Sequence, residues 1–358
     1  MRREELFDKV HHGEPIRHAD LSALCLDDAD LAGATFEGVR FPLSMRGALL
    51  KESTFVECQF ADTVLDGADL HLATFYKCSL RGASLVKAKL VGASFVECDG
   101  EGARLAKVFA PIAAFVKTTL PKASFENANL DRATFAEADA DGASFVGANL
   151  QKCTLYRADL RTADLTGADL SLTTLVEAML GAKSFRGNKL FRTQFMRSEL
   201  AGSSFSNMDV PQCNFMGADL RGAVFDGARA AECMFAEADV GEASFAGATL
   251  SNAVFEKATA PEADFSRADL QEAFFGHAAL PGARFVDARL REANLSHADL
   301  SGADFSGAGM YRTRLHATKQ EGSVLPSGAG FLGDDDELRA AETWRPRHGG
   351  EKTTGDER

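Results

Sequence analysis

Tryptophan and tyrosine are scarce in this chain, and long apolar runs are missing. The 358 residues include one tryptophan and three tyrosines, and the longest apolar run, Val108 to Val116, is nine residues long. A membrane-spanning helix needs about 18 to 20 such residues, so the sequence predicts none. The segment Met1 to Asp8 carries acidic residues where a secretory signal peptide needs an apolar core, and we therefore expect a cytoplasmic location.

Motifs for catalysis and cofactor binding are also lacking. The sequence contains no glycine-rich phosphate loop, no nucleophile elbow and no cysteine-pair zinc motif. Acidic residues outnumber basic ones, 52 against 39, and the net charge of −13 disfavours contact with a nucleic-acid backbone. These absences predict a protein that is not an enzyme, needs no cofactor, and binds neither nucleic acid directly nor a membrane.

Phenylalanine, leucine and alanine are abundant, and they follow a five-residue period. From Leu50 to Leu315 almost every fifth residue is a bulky apolar side chain, without insertion or deletion. A small residue stands two positions before each of these centres, as in Ala83-Ser84-Leu85. Earlier units are one residue out of step, so we expect a loop near residues 42–47 to absorb the shift. Their centres are Leu21, Leu26, Leu31, Phe36 and Phe41.

A period of five fits neither an α-helix nor an ordinary β-strand, whose periods are about 3.6 and 2 residues. It fits a squared coil, in which each pentad forms one side and the bulky and small residues point inward. Four pentads then complete one turn, and successive turns stack in register. The sequence resembles the pentapeptide repeat family over residues 19–318. That resemblance implies an all-β fold, a right-handed quadrilateral parallel β-helix.

The chain divides into three predicted segments. Residues 1–18 form an N-terminal cap with a short helix, because Leu6, Phe7 and Val10 recur at helical spacing before Gly13. Residues 19–318 form the β-helix. Residues 319–358 form a C-terminal tail, in which 334–344 make a second short helix and the end, after about residue 348, is disordered.

Two further patterns test the turn of four pentads. Phenylalanines concentrate at alternate centres, so we expect a large side chain to face a small one across the core. Charges alternate in sign along a column that takes one residue from every fourth pentad. In a turn of four pentads, neighbours in this column would lie about 4.8 Å apart on successive turns. Opposite charges at that distance attract, so they favour the stacking of turns four pentads long. We call this column the charge ladder, and it consists of Glu57, Lys77, Glu97, Lys117, Glu137, Arg157, Glu177 and Arg197.

The column directly before the charge ladder is apolar at ten successive turns. We call it the apolar strip, and its larger members are Val56, Tyr76, Val96, Val116, Tyr156, Val176, Met196 and Met216, with alanine at 136 and 236. The column on the opposite side, from Asp66 to Ala246, mixes apolar, polar and charged residues. We therefore predict that the strip is a docking surface for a protein partner. The alternative is that these side chains lie flat along the rod.

Another column is partly acidic, and it suggests a second function. Its carboxylates are Asp99, Asp139, Asp159, Glu199, Asp219, Asp239 and Asp299. Some members of the pentapeptide repeat family resemble duplex DNA in shape and charge, and they bind DNA gyrase or topoisomerase IV, which they inhibit or protect. The resemblance makes such DNA mimicry the alternative function. Residues 101–200, however, carry 13 basic against 11 acidic residues, so positive charge would interrupt such a mimic in its middle. The tail does not resemble the apolar dimerising helix of those proteins, so it gives no support for a dimer.

Three residues between 180 and 210 are too large for the small inward position. They are Lys183, Asn188 and Met208, and they predict an opened or bulged coil in this part of the chain. The same stretch holds a secondary candidate site, the basic patch, which consists of Lys183, Arg186, Lys189, Arg192 and Arg197.

Cysteine and histidine can supply metal ligands, but their spacing favours a structural role. Six of the seven cysteines occupy the small inward position, where we expect reduced, unreactive thiols: Cys58, Cys78, Cys98, Cys153, Cys213 and Cys233. His277 and His297 are four pentads apart and should stack, yet the sequence offers no obvious third ligand. We therefore predict no metal site and no catalytic residue.

Taken together, these patterns predict a non-catalytic scaffold or adaptor that binds a protein partner through a rigid β-helix. The segments Glu5 to Leu21 and Tyr311 to Trp344 resemble pentapeptide proteins that accompany type VI secretion systems. This second resemblance implies an adaptor or effector-loading role in a bacterial cytoplasm.

Overall fold

The structure, a computed structural model, describes residues 1–328 and 330–344 as a parallel β-solenoid with a short helix near each end. The helices and strands, in chain order, are α1 (Arg3–His11), β1 (Ile16–Arg17), β2 (Thr35–Glu37), β3 (Thr54–Val56), β4 (Thr74–Tyr76), β5 (Ser94–Val96), β6 (Ala114–Val116), β7 (Thr134–Ala136) and α2 (Asp336–Thr343). The predicted disorder after residue 348 lies outside the described residues. The right-handed sense of the coil stays a prediction.

Strands β1 to β7 form one parallel sheet in chain order. From β3 onward each strand pairs with the next at a register of four pentads, so that Phe55 lies opposite Phe75. Isolated bridges continue this side of the coil from Thr134 to Arg314. The three other sides are held by isolated bridges in the same register, for example Gln59–Ser79, Val64–Ser84 and Asp69–Lys89. Four pentads therefore complete one turn, and the predicted quadrilateral solenoid is confirmed.

Each corner of the coil is a tight turn built from the pentad. The backbone N–H of the small residue donates to the carbonyl of the bulky centre three residues earlier, as from Ala73 to Leu70 at 3.0 Å. The third residue of the turn has a positive φ, a conformation that suits glycine, and Gly82 there has a φ of 65°. Other residues adopt it too, including the β-branched Ile112 at 55°. Glycine is therefore favoured at the corners, but the fold does not require it at every one.

Two columns of phenylalanine rings fill the core. Phe225 stacks on Phe205 and Phe245, with ring centroids 4.5 and 4.9 Å apart. From the opposite side, Phe215 and Phe235 meet it edge-on, each at 5.6 Å. The prediction that a large side chain faces a small one across the core was therefore wrong. Phenylalanine faces phenylalanine because edge-on rings pack favourably, and leucine and alanine line the two sides between them.

The register shift near the N-terminus occurs within one side of the coil. Phe36 pairs with Phe55, which is one residue short of four pentads, whereas Ser44 pairs with Val64 at the full spacing. Met45 is fully buried and takes the place of the next bulky centre. The pentad between Phe41 and Met45 is thus one residue short, and the bridge ladder resumes directly after it.

The two helices make different contacts with the solenoid. Leu6 of α1 is fully buried and extends the apolar core at the N-terminal end. Helix α2 buries none of its residues, and its first turn is capped by the Asp335 carboxylate, which accepts from the N–H groups of Glu337 and Leu338. Neither helix, within the described part of the chain, is long and apolar enough to cross a membrane.

Candidate interaction surfaces

The apolar strip lies along one continuous edge of the solenoid. In the sheet, Val56 pairs with Tyr76, Tyr76 with Val96, and Val96 with Val116, so neighbouring members lie directly above one another. All ten members are half-buried, and none is fully exposed. The strip is therefore a line of packed side chains whose outer surfaces face solvent.

The charge ladder forms ion pairs between successive turns. Lys77 lies 3.8 Å from Glu97, and Arg157 lies 2.6 Å from Glu177. The same cations lie over strip residues, because the Lys77 Nζ and the Arg157 Cζ are each 5.0 Å from the ring centroid of the preceding tyrosine. The ladder thus covers part of each tyrosine face and holds the rings in place.

More exposed apolar side chains lie at a different corner, which the sequence analysis did not single out. Leu72 and Ile112 are 47% and 53% exposed, and they flank Gly92. A Cβ at Gly92 would lie 2.8 Å from Leu72 Cδ2, so glycine makes room for both neighbours. Because these residues stand at successive turns of one column, a search of every column for apolar side chains would have found them.

The coil opens between residues 183 and 211, where the sequence predicts an opened or bulged coil. Among the described residues, the bridge ladder lacks a bridge between Asp164 and Ser184 and another between Lys189 and Asp209. A groove with a volume of about 880 Å³ occupies this position. Its walls include Ser184, Arg186, Gly187, Asn188, Lys189, Phe191, Met208 and Asp209.

Lys183 of the basic patch turns toward the interior at this opening. Its half-buried ammonium group donates to the backbone carbonyls of Arg161 and Ala163 at 3.1 and 2.6 Å. Burial lowers the pKa of the Lys183 side chain. This lysine therefore fills the gap left by the missing bridge instead of presenting its charge to a partner.

The other four basic residues are divided between the groove and the outer wall. Arg186 and Lys189 line the groove, and Lys189 pairs with Asp169 at 3.2 Å. Arg192 lies over the Phe191 ring at 5.1 Å, and Arg197 belongs to the charge ladder. The structure thus brings two of the five predicted residues together at the groove.

Polar side chains at the small inward position follow one hydrogen-bond pattern. The Thr173 hydroxyl donates to the carbonyl of Leu150, in the turn below, at 2.6 Å. Asn188 Nδ2 donates in the same way to the carbonyl of Leu165 at 2.6 Å. The Asn188 Oδ1 is buried and has no partner among the described residues. A buried acceptor left in this state costs about 1 to 3 kcal/mol.

Replacing Asn188 by threonine is expected to raise the free energy of unfolding by about 1 kcal/mol. Threonine keeps a donor for the Leu165 carbonyl and removes the unpaired Oδ1. Guanidinium denaturation followed by circular dichroism measures the change. The matched control is Thr173→Asn in a closed turn, which introduces the unpaired acceptor and should destabilise by a similar amount. A stability loss in Asn188→Thr would contradict this account of the opening.

The repeat pattern also matches a known family. A family model described as pentapeptide repeats matches eight stretches of the chain, residues 44–82, 78–109, 113–145, 143–180, 213–252, 250–285, 268–307 and 283–319. These stretches cover more than half of the sequence. The chain belongs to the pentapeptide repeat family. A search of curated proteins finds no match.

Solved structures also match the chain, at low sequence identity and with low TM-scores. QnrB1, a plasmid-mediated fluoroquinolone resistance protein, is 23% identical over 49% of this chain and 89% of its own, with a TM-score of 0.34. HetL, involved in heterocyst differentiation regulation in the cyanobacterium Nostoc sp. strain PCC 7120, is 21% identical over 93% and 94%, with a TM-score of 0.23. Rfr23 from the cyanobacterium Cyanothece 51142 is 23% identical over 38% and 91%, with a TM-score of 0.21.

The acidic column of this pentapeptide repeat chain has a structural role at the corners. The Asp159 carboxylate accepts from the backbone N–H of Arg161, two residues later, at 3.1 Å, and Asp239 accepts from Gly241 in the same way. Such Asx turns fix the chain direction at a bend. Five of the seven carboxylates also pair with arginine or lysine: Asp99, Asp159, Asp219, Asp239 and Asp299. The column therefore carries less unpaired negative charge than its sequence suggests.

All seven cysteines are free thiols, and the six inward ones are buried. The Cys153 Sγ donates to the carbonyl of Leu130 at 2.9 Å. Burial raises the pKa of the Cys153 thiol to about 12, so the reactive thiolate is scarce at neutral pH. Cys25, which is not at the inward position, is exposed.

A cluster of histidines lies at the C-terminal end of the repeats. His277 stacks on His297 with ring centroids 4.6 Å apart, and His316 meets His297 edge-on at 5.4 Å. Glu342 of α2 contacts two of them: its Oε1 lies 3.1 Å from His297 Nε2, and its Oε2 lies 3.3 Å from His316 Nε2. The sequence analysis missed His316 and Glu342 because neither lies on the column of His277 and His297.

Proposed function

We propose that the chain is a non-catalytic scaffold that binds a protein partner along the apolar strip. The observation that carries the proposal is an unbroken line of ten apolar residues in register on one edge, where the opposite edge is mixed. Half-buried side chains lose little rotamer freedom on binding, which favours affinity. The adjacent charge ladder offers both signs of charge at fixed spacing, and this would select the partner and its register.

The dimensions of the strip suit an elongated partner. Nine steps of about 4.8 Å separate its first and last residues, so it is roughly 43 Å long. A partner that covers a band about 20 Å wide along it would bury roughly 860 Å² of this chain, close to the size of a standard protein interface. We therefore expect a partner with an apolar ridge beside one row of charged side chains.

The alternative functions have less support. DNA mimicry toward gyrase or topoisomerase IV needs an exposed negative column, and five of its seven carboxylates are paired with basic side chains. An adaptor role in type VI secretion stays a prediction from the resemblance of the two ends.

Two glutamate substitutions in the strip test the docking surface. The double variant Val96→Glu and Val176→Glu should weaken partner binding at least about ten-fold, because each buries an unpaired carboxylate in the interface. The partner is first captured with the wild-type chain from a lysate of the source organism, and its affinity for purified variants is then measured by calorimetry.

The opposite edge supplies the matched control. Val86 and Val146 are half-buried, as are Val96 and Val176. The double variant Val86→Glu and Val146→Glu should leave the affinity for the partner unchanged. Circular dichroism checks that both double variants fold. Equal affinities for all three proteins would refute the strip as the docking surface, and inhibition of gyrase supercoiling by the wild-type chain would support DNA mimicry instead.

A further inference from the structure

The C-terminal histidine cluster has the composition and spacing of a metal site. His297, His316 and Glu342 each supply one ligand atom, and these three atoms all lie within 4.8 Å of one another. The imidazole nitrogens that contact Glu342 are the Nε2 atoms. Two imidazole nitrogens and one carboxylate oxygen are a donor set that binds Zn²⁺ in proteins. The His316 side chain is only 4% exposed, so one of the ligands is held in a fixed position.

Two distances between the ligand residues are close to those of a tetrahedral zinc site. Bonds of about 2.0 to 2.2 Å to nitrogen and oxygen place the ligand atoms of a tetrahedral site about 3.3 to 3.5 Å apart. The observed distances from Glu342 oxygens to His297 Nε2 and His316 Nε2 are 3.1 and 3.3 Å. We propose that these three side chains bind one Zn²⁺ ion, which fastens α2 to the last turns of the solenoid. Water would complete the coordination.

The contacts of α2 explain why such an ion would matter. The helix buries none of its residues, so apolar packing contributes little to its position. The polar contacts near it converge on the cluster: the Asp335 N–H donates to His316 Nδ1 at 3.1 Å, and the Asp334 carboxylate accepts from the Ala317 N–H at 2.8 Å. A metal bond to Glu342 would add the strongest single link between the helix and the repeats.

Zinc binding requires a change of tautomer at His316. When Nε2 binds the metal, Nδ1 carries the ring proton and cannot accept from the Asp335 N–H. The Asp334 carboxylate, with Oδ1 3.8 Å from Nδ1, is the acceptor at hand, which gives the carboxylate–histidine–zinc arrangement of many zinc sites. The stack of His277 on His297 orients the second imidazole. Zinc binding is thus coupled to a small shift of residues 334 and 335.

Zinc titration of the full chain tests the proposal. The Cys25→Ser variant serves as the parent, because this removes the one exposed thiol. In competition with a chromophoric chelator, the parent should bind one equivalent of Zn²⁺, and His297→Ala or His316→Ala should weaken binding at least about 100-fold. Glu342→Gln, a change on an exposed helix that leaves the repeats intact, should also weaken it. His71→Ala, far from the cluster in sequence, is the control and should bind like the parent.

Tryptic cleavage after Arg339 reports on α2 itself. One equivalent of Zn²⁺ should slow this cleavage in the parent and in His71→Ala, and leave it unchanged in Glu342→Gln. Absence of stoichiometric binding in the parent, or equal binding in all four variants, would overturn the metal site. Binding without protection at Arg339 would overturn the fastening of α2.

Discussion

Replacing Phe225 by alanine is expected to lower the free energy of unfolding by about 3 to 5 kcal/mol. The ring is fully buried and contacts four other rings, two stacked and two edge-on. The cavity left by the ring cannot close, because the turns above and below are fixed at the strand spacing by their bridges. Guanidinium denaturation, with hydrogen exchange in the turns around residues 205–245, measures the loss.

The same substitution at an exposed ring provides the control. Phe109 is 47% exposed at an outward position, so Phe109→Ala should change the free energy of unfolding by no more than about 0.5 kcal/mol. Hydrogen exchange should accelerate near residue 225 only in Phe225→Ala, because repeat proteins lose stability locally through neighbouring turns. Similar losses in the two variants would show that the phenylalanine columns are not the stabilising core.

The six inward cysteines are expected to react with a thiol reagent at least about a thousand times more slowly than Cys25. A buried thiol reacts only when its turn opens, and an opening free energy of about 5 kcal/mol suppresses the rate more than a thousand-fold. The raised pKa of a buried thiol such as Cys153 slows the reaction further, since the thiolate is the nucleophile. Cys25 is exposed and needs no opening of a turn to react.

Iodoacetamide labelling followed by mass spectrometry separates these thiols. One equivalent should react quickly in the folded chain, with the label on Cys25, and all seven should react at similar rates in concentrated guanidinium. Cys25→Ser is the control and should abolish the fast phase while leaving the slow phase unchanged. A second fast thiol would contradict the closed core at that turn.

The predicted turn length depends on particular residues. The column from Glu57 to Arg197 alternates in charge at every fourth pentad, and several of its neighbours pair across one turn in the structure, such as Lys77 with Glu97. This pattern was sufficient to predict the turn length, because opposite charges at this spacing can pair only if four pentads return the chain to the same face. The count of residues along the pentads also predicted which cysteines and which bulky centres point inward.

Other features did not follow from the count. The sequence indicates which centres are phenylalanine, but Phe215 and Phe225 face each other because the angle between rings on opposite walls is set by packing. The covering of Tyr76 and Tyr156 in the apolar strip depends on how Lys77 and Arg157 lie over their rings. The charge of the acidic column depends on arginine rotamers, as at Arg221 beside Asp219. None of these is a periodic property of the sequence.

The order of amino acids alone specifies the pentad, the four-sided turn, the inward and outward residues, and the family, because an unbroken repeat admits one way of stacking. Where the repeat pattern is interrupted, the packing of the folded chain determines where the side chains lie. It places the inward-turned Lys183 at the opening and positions α2 so that Glu342 reaches His297 and His316. These contacts join residues at irregular separations, and such separations are set by the packing of the folded chain rather than by its period.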